Sequence, residues 1–222
     1  MTDTGPPGDT LPPFPPGFFD RVDPLPDAMF YEFDRMVTHI DDRAIAAVGA
    51  LYRELGIDGM SPDVKVLDLM SSWLSHFEQR PADLTVLGMN ERELLANRQA
   101  TTAVVHDLNA EPILPFEDSE FDAVVCCVSV DYLTRPVEVF RDVRRVLKPG
   151  GWFVNTFSNR CFPTKVIRGW MMVREEQRGL LVGLYYRHSA LPGAGWSEPV
   201  VELRTPPGTP GDPLWAVYAQ AI

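Results

Sequence analysis

The stretch Lys65–His76, reading KVLDLMSSWLSH, restricts the fold more than any other part of the chain. Val66, Leu67 and Leu69 form an apolar run broken only by Asp68, and the run then gives way to small hydroxyl residues. A short apolar run that ends in polar turn residues and is followed by helical spacing predicts a buried parallel strand feeding a crossover helix. In open α/β sheets a ligand sits beyond the carboxyl end of such a strand. Strand and helix alternate downstream, so the expectation is an α/β protein with its binding site just past Leu69.

Upstream, residues 1–26 carry eight prolines among Gly, Asp and Thr, with Phe14, Phe18 and Phe19 between them. Proline lacks the amide hydrogen and fixes φ, which excludes helix and sheet interiors. The first dozen residues are therefore expected to be disordered, and the Phe-bearing part to drape over the domain. A domain over 27–222 is expected to open with a helical cover over 27–60. Its first helix spans 27–38 with Met29, Phe30, Phe33 and Met36 inward; its second runs from an Asp41 N-cap to Leu55, burying Ile45, Val48, Tyr52 and Leu55, with Gly56 as stop.

The spacing then predicts strands over 64–69, 84–89, 103–106, 121–129 and 152–157, with helices over 73–79, 91–98 and from Pro136 to the Lys148-Pro149-Gly150-Gly151 stop. FDAVVCCVS (Phe121–Ser129) is too apolar for anything but a central strand covered on both faces. Helical sequence follows over 164–188, with Val166, Trp170, Leu180, Leu181 and Leu184 as buried positions. Strands over 198–204 and 214–221, joined by a Pro- and Gly-rich turn, predict an antiparallel hairpin.

A length of 222 residues with 45% hydrophobic content suits one domain with a full core. The net charge of −11 argues against nucleic acid or an anionic membrane as partner, because both require a basic face. No apolar stretch approaches the roughly 20 residues needed to span a bilayer. A secretory leader pattern is absent and three cysteines fit a reducing compartment, so a cytoplasmic protein is expected. Cys126 and Cys127 are strand neighbours pointing to opposite faces, which rules out a shared metal and reads them as small buried hydrophobes. No metal is expected.

The ordered motifs VLDL (Val66–Leu69), LPF (Leu114–Phe116), FDAVVC (Phe121–Cys126) and RVLKPGGWFV (Arg145–Val154) resemble the class I S-adenosylmethionine (SAM) dependent methyltransferases of the type 11 kind, over residues 64–157. The family's first motif reads roughly V-L-D-L-G-C-G-x-G, and here Met70, Ser72 and Leu74 stand at its three glycines. The resemblance implies a three-layer, Rossmann-like, seven-stranded and mostly parallel sheet in the order 3-2-1-4-5-7-6, closed by a C-terminal antiparallel hairpin. It implies a transferase with SAM as cofactor and a small-molecule acceptor, working by in-line methyl transfer.

Site roles follow from the same resemblance. Asp68 falls beside the cofactor's amino-acid portion, with Met70, Ser71, Ser72 and Trp73 as the turn that holds it. Glycine there permits positive φ and close backbone approach, so this turn needs another geometry, with hydroxyls replacing backbone contacts. Asn90 occupies the family's ribose-binding acid position, where it replaces a charge-assisted bond of about 1.5–3 kcal/mol by a neutral one of about 0.5–1.5 kcal/mol; it is also a natural helix N-cap. Asp107, Leu108 and Asn109 match the adenine-side loop. Ser129 adds to the cofactor side, and Asn159, Arg160 and Cys161 to the acceptor side. For catalysis the candidates are His39, whose imidazole titrates near neutrality, then Asp131, and Tyr132, whose ring would shape the pocket or face the sulfonium. Plainer roles stand beside these: Asp68 capping backbone amides, His39 packed between two helices, Arg160 paired with a surface carboxylate.

No G-x-S-x-G elbow, G-x-G-x-x-G fingerprint or P-loop occurs, which removes support from hydrolase, dinucleotide and phosphate-loop readings. The alternative to an enzyme is a non-catalytic binding or regulatory protein on the same fold.

Overall fold

The protein is described by a computed structural model over residues 14–59 and 63–222, so the expectation for the first dozen residues lies outside the described residues. Seven strands form one sheet: β1 (Lys65–Leu69), β2 (Asp83–Gly88), β3 (Thr102–Val105), β4 (Phe121–Cys127), β5 (Leu147–Phe157), β6 (Val200–Leu203) and β7 (Trp215–Gln220). Their order is β3-β2-β1-β4-β5-β7-β6, as expected. The first five strands pair in parallel, and β7 runs antiparallel to both β5 and β6. β5 begins five residues ahead of its expected start at Trp152, because Leu147 already pairs with Phe121; the register then shifts, and Trp152 pairs with Ala123.

Alternation along β1 separates two cores. Leu67 and Leu69 pack with α4 (Pro136–Val146), α5 (Arg168–Met172) and α6 (Arg178–Ser189), where Phe140, Trp170, Tyr185 and Tyr186 are buried. Val66 packs on the other face with α2 (Asp42–Glu54) and α3 (Glu91–Ala96), through Val48, Leu51, Tyr52 and Leu94. Phe14, Phe18 and Phe19 stack against one another and against Tyr185, and the Phe18 carbonyl accepts from the Gly169 amide at 2.7 Å.

Three helical expectations fail, each for a visible reason. The first helix, α1, covers only Asp27–Phe30, and Met29 and Phe33 stand 59% and 71% exposed instead of inward. Its downstream polar groups serve other partners: the Arg35 guanidinium donates to the Phe30 and Phe33 carbonyls, and the Tyr31 carbonyl accepts from Asn90. No helix follows β1 over 73–79. Ser71 and Ser75 hydroxyls both turn back to Asp68, and such local bonds compete with helix formation. The expected helix over 164–188 is broken into α5, a short 3₁₀ turn (Glu175–Gln177) and α6, which leaves Leu180 63% exposed and Leu184 half-buried while Val166, Trp170 and Leu181 are buried. Within the cover, α2 starts on the Asp41 N-cap, whose side chain accepts from the Ala44 amide.

The helix-free loop after β1 lies directly against β2. Ser71 donates its amide to the Leu87 carbonyl at 2.7 Å, and a Cβ at Gly88 would stand 2.3 Å from the Ser71 carbonyl oxygen. Gly88→Ala is therefore expected to lower stability by about 1–3 kcal/mol, the usual cost of overpacking a close contact. Urea unfolding monitored by tryptophan fluorescence checks this; an unchanged midpoint would show that the loop does not depend on the glycine.

Candidate functional site

A cleft of about 330 Å³ opens at the carboxyl ends of β1, β2 and β4, where the parallel strands release their side chains into loops. Its floor is Asp68, a carboxylate within the otherwise apolar run Val66–Leu69 of β1. Burial raises the Asp68 carboxyl to about 6, against hydrogen bonds to one of its oxygens from Ser75 (2.5 Å) and Ser71 (2.7 Å) that favour the charged form. Ser75 and the Ser72 carbonyl in turn accept from the Asn97 amide group, at 2.8 and 3.0 Å, which anchors the loop on the end of α3.

Met70, the first residue past β1, takes φ of +55°, the left-handed region that glycine enters freely. Val128 does the same past β4 at +46°, which for a β-branched residue is rare and costs on the order of 1–3 kcal/mol. Both residues line the cleft, so the strain sits where a ligand would.

Glu93, on the first turn of α3, is a buried carboxylate that the sequence reading did not single out. It accepts from the Ser72 hydroxyl at 2.5 Å and from the Arg35 amide at 2.6 Å, tying the β1 loop to the N-terminal cover. Asn90 caps the same helix by accepting from the Glu93 amide, and its own amide group donates to the Tyr31 carbonyl at 3.0 Å and to Asp34 at 3.1 Å. Both donor hydrogens of Asn90 are thus directed at the cover, and what it has left for a ligand is acceptor capacity on Oδ1.

The cover is held by a second, deeper network. Asp27 takes a bidentate pair from Arg21 at 2.7 and 2.8 Å, accepts from Asn109 at 2.8 Å and lies 3.2 Å from the fully buried Lys165, which also donates to the Leu25 carbonyl and pairs with Asp23. Desolvation pushes the Asp27 carboxyl up, but the Arg21, Asn109 and Lys165 contacts outweigh it and hold the carboxyl below its ordinary value.

The cleft gathers most of the residues singled out from sequence: His39, Asp68, Met70, Ser71, Ser72, Trp73, Asn90, Asp107, Leu108, Asn109, Ser129, Tyr132, Arg160 and Cys161 all line it. Several have polar groups already engaged. Asp107 accepts from the amides of Asn109 and Ala110, closing its own turn. Asn109 bonds Asp27 and the Tyr132 carbonyl through its nitrogen and Thr134 through its oxygen, so its side chain braces the wall instead of reaching outward. The Tyr132 hydroxyl accepts from the Phe162 amide at 2.8 Å and burial drives its pKa upward, which leaves its ring as the part that can shape the pocket. Arg160 pairs with Asp212 at 2.8 Å while its side chain stays 65% exposed. Asp131 and Asn159 are corrected as well: neither lines the cleft. Asp131 is buried behind it on the turn after β4, and Asn159 is exposed. His76, Glu93, Tyr31 and Arg35 join the cleft wall without having been marked beforehand.

Residues 69–155 match the model of a family described as a methyltransferase domain. The sheet order and the cleft at the strand ends give the chain the fold of the class I methyltransferases. The biotin biosynthesis bifunctional protein BioHC of Teredinibacter turnerae is 34% identical over 62 residues, which make up 28% of this chain and 11% of that protein. Among solved structures, the trans-methyltransferase CalH in complex with SAH superposes with a TM-score of 0.57 at 15% identity, covering 82% of this chain and 57% of CalH. A SAM dependent methyltransferase from Aquifex aeolicus gives a TM-score of 0.53 at 14% identity, covering 82% and 99%. Both likenesses concern the fold. The first loop makes its left-handed turn at Met70 without a glycine. Among the described residues no group of three or more His, Cys, Asp or Glu side chains is placed to hold a metal ion, and no helix is long and apolar enough to cross a membrane.

Asp131 supplies a test of the buried charge behind the cleft. Its Oδ2 has no hydrogen-bond partner, and burial raises the carboxyl to about 7. A carboxyl raised above its unfolded value of about 3.9 is protonated preferentially in the folded state. The associated stability is complete below pH 4 or so and declines as pH climbs to about 7, after which it is flat. Asp131→Asn is expected to flatten the fall in melting temperature between pH 5 and 8; an identical slope in wild type and variant would show that Asp131 does not titrate there.

Proposed function

We propose that the protein is a SAM-dependent methyltransferase acting on a small-molecule acceptor. The observation that carries this is the cleft itself: a left-handed turn at Met70, a buried Asp68 and two carboxamide or carboxylate groups at the head of α3 converge at the carboxyl end of β1. These residues fit SAM. Asp68 and the Ser71–Trp73 turn would hold the amino-acid portion, Asn90 and Glu93 the ribose, and Asp107 with Leu108 the adenine side. When bound, SAM supplies an electrophilic methyl group on a sulfonium.

The chain's own contribution is positioning in a dry pocket. Holding two reactants in line at contact distance is worth about 7–11 kcal/mol in favourable cases, with little covalent chemistry required of the protein. Tyr31, Trp73, Tyr132 and Phe162 present aromatic walls, and the cover closes one side of the cleft. An acidic surface and an enclosed site favour a small molecule over nucleic acid, and a cytoplasmic setting is in keeping with the three free cysteines.

A second reading is favoured by one observation, the commitment of Asn90 to Tyr31 and Asp34: a methyltransferase-like protein whose ribose position is filled by its own cover and which binds or regulates without turnover. Thermal unfolding separates the two. Ligand at about 100 times its Kd adds about 2.7 kcal/mol, a rise of roughly 5–10 °C for a chain of this size. SAM or its demethylated product SAH is expected to give such a rise, and none with either at millimolar concentration would leave the non-catalytic reading standing. Asn90→Ala is expected to weaken SAH binding by calorimetry roughly two- to tenfold, the value of one neutral hydrogen bond of about 0.5–1.5 kcal/mol.

A further inference from the structure

Two imidazoles line the cleft, close enough for a charge on one to act on the other. His39 lies on the cover between α1 and α2 and packs edge-to-face on Phe162, with ring centroids 5.5 Å apart at 79°. His76 comes from the loop after β1, a region the sequence spacing assigned to a helix. Neither ring has a hydrogen-bond partner among the described residues, and the His76 Nδ1 is fully buried without one. A buried, unpaired ring nitrogen beside an open cleft is a group waiting for a partner.

The remaining groups on that wall narrow what the partner can be. Every carboxylate lining the cleft already accepts hydrogen bonds from the protein: Asp27 from Arg21, Asp68 from two serines, Glu93 from Ser72 and Arg35, Asp107 from its own turn. None is bare, and Asp68, which keeps one oxygen free of these bonds, is the one the methyltransferase reading gives to the cofactor's amino-acid portion. Trp73 is fixed by its indole donating to the Val37 carbonyl, and Phe162 lies between His39 and Tyr132. The walls suit a flat apolar body, and the free nitrogens suit a hydroxyl on it.

We propose that His39 and His76 form an acid–base pair at the acceptor end of the cleft, and that the acceptor is a planar, largely apolar small molecule methylated on a phenol-like hydroxyl. This rests on the methyltransferase reading for the source of the methyl group. Burial lowers the pKa of both rings; Glu93 from α3 raises and Arg35 from the cover lowers that of His39, while a charge on His39 further lowers that of His76, to about 4. In this assignment His39, on the cover against Phe162, is the general base, and His76, whose buried Nδ1 has no partner in the protein, is a positioning residue that holds the acceptor oxygen. In the step, an oxygen lone pair forms the bond to the methyl carbon and the carbon–sulfur bond breaks with its electron pair passing to sulfur. The hydroxyl proton goes to His39 and then to water. The products are a methyl ether, a neutral thioether and one proton. An acceptor atom without a proton would leave the base without a task.

The test uses the whole protein with 2-naphthol and 2-methoxynaphthalene as probes and ¹⁵N imidazole NMR as a readout independent of turnover. The expected results are that His39→Gln raises the His76 pKa, and that 2-naphthol, added to the SAH-bound protein, moves both imidazole signals more than 2-methoxynaphthalene does. With SAM, 2-naphthol is expected to be methylated, with a loss of about 100-fold or more in His39→Gln, the usual share of a general base, and an SAH Kd within twofold of wild type. His76→Gln should raise KM for 2-naphthol more than it lowers kcat. The proposal is overturned by a His76 pKa unmoved in His39→Gln, by equal turnover in that variant, or by SAH-bound protein that neither responds to 2-naphthol nor methylates it. Absence of SAH binding would instead sink the methyltransferase reading, while the coupling between the two imidazoles would still be read directly.

Discussion

The cluster around Asp27 holds the site in its shape. A carboxylate taken out of water costs several kcal/mol unless it is paired and hydrogen-bonded on all sides, and Asp27 meets that condition with Arg21, Asn109 and Lys165. Those three partners come from the proline-rich stretch ahead of α1, from the loop after β3 and from the segment between β5 and α5. One side chain therefore joins the loop after β3 to two segments that a β-bridge between Arg21 and Ile167 already holds together, and part of the cleft wall is built where they meet. Breaking one partner would leave the others with an unbalanced buried charge, so the network acts as a unit.

A second brace ties the opposite rim. Asp41 and Asp212 exchange hydrogen bonds, each carboxylate accepting from the other's backbone amide, at 3.0 and 2.7 Å, and Asp212 also takes Arg160. The turn between β6 and β7 is thereby fastened to the N-cap of α2. The N-cap of one element and the loop of a hairpin some 170 positions away thus share one arrangement of charges.

The fold was legible because parallel strands buried on both faces must be written as nearly continuous apolar runs. Phe121–Cys127 has no other reading, and the Lys148–Gly151 stop marks the return to the sheet. The failures lie where side chains override periodicity. Ser71 and Ser75 satisfy Asp68 and the helix over 73–79 never starts; Asn90 and Arg35 claim the backbone carbonyls of 30–33 and α1 stops after one turn. The same failures hid Glu93 and His76. Glu93 reads as a surface acid on a helix and becomes central only through Arg35, 58 positions away in sequence. The left-handed turn at Met70 could not be inferred either, since only the partner surface at Gly88 permits the loop to approach.

The segment between α1 and α2 rests on the head of α3 through the Tyr31 carbonyl, Asp34 and the Arg35 amide, while Phe33, Met36 and Val37 of that segment face solvent. A contact made of a few polar bonds opens at far lower cost than a packed core, and such openings occur on microsecond to millisecond timescales. The stretch from Tyr31 to Val37 is therefore the part of the cleft wall that separates at the lowest cost, ahead of either packed core.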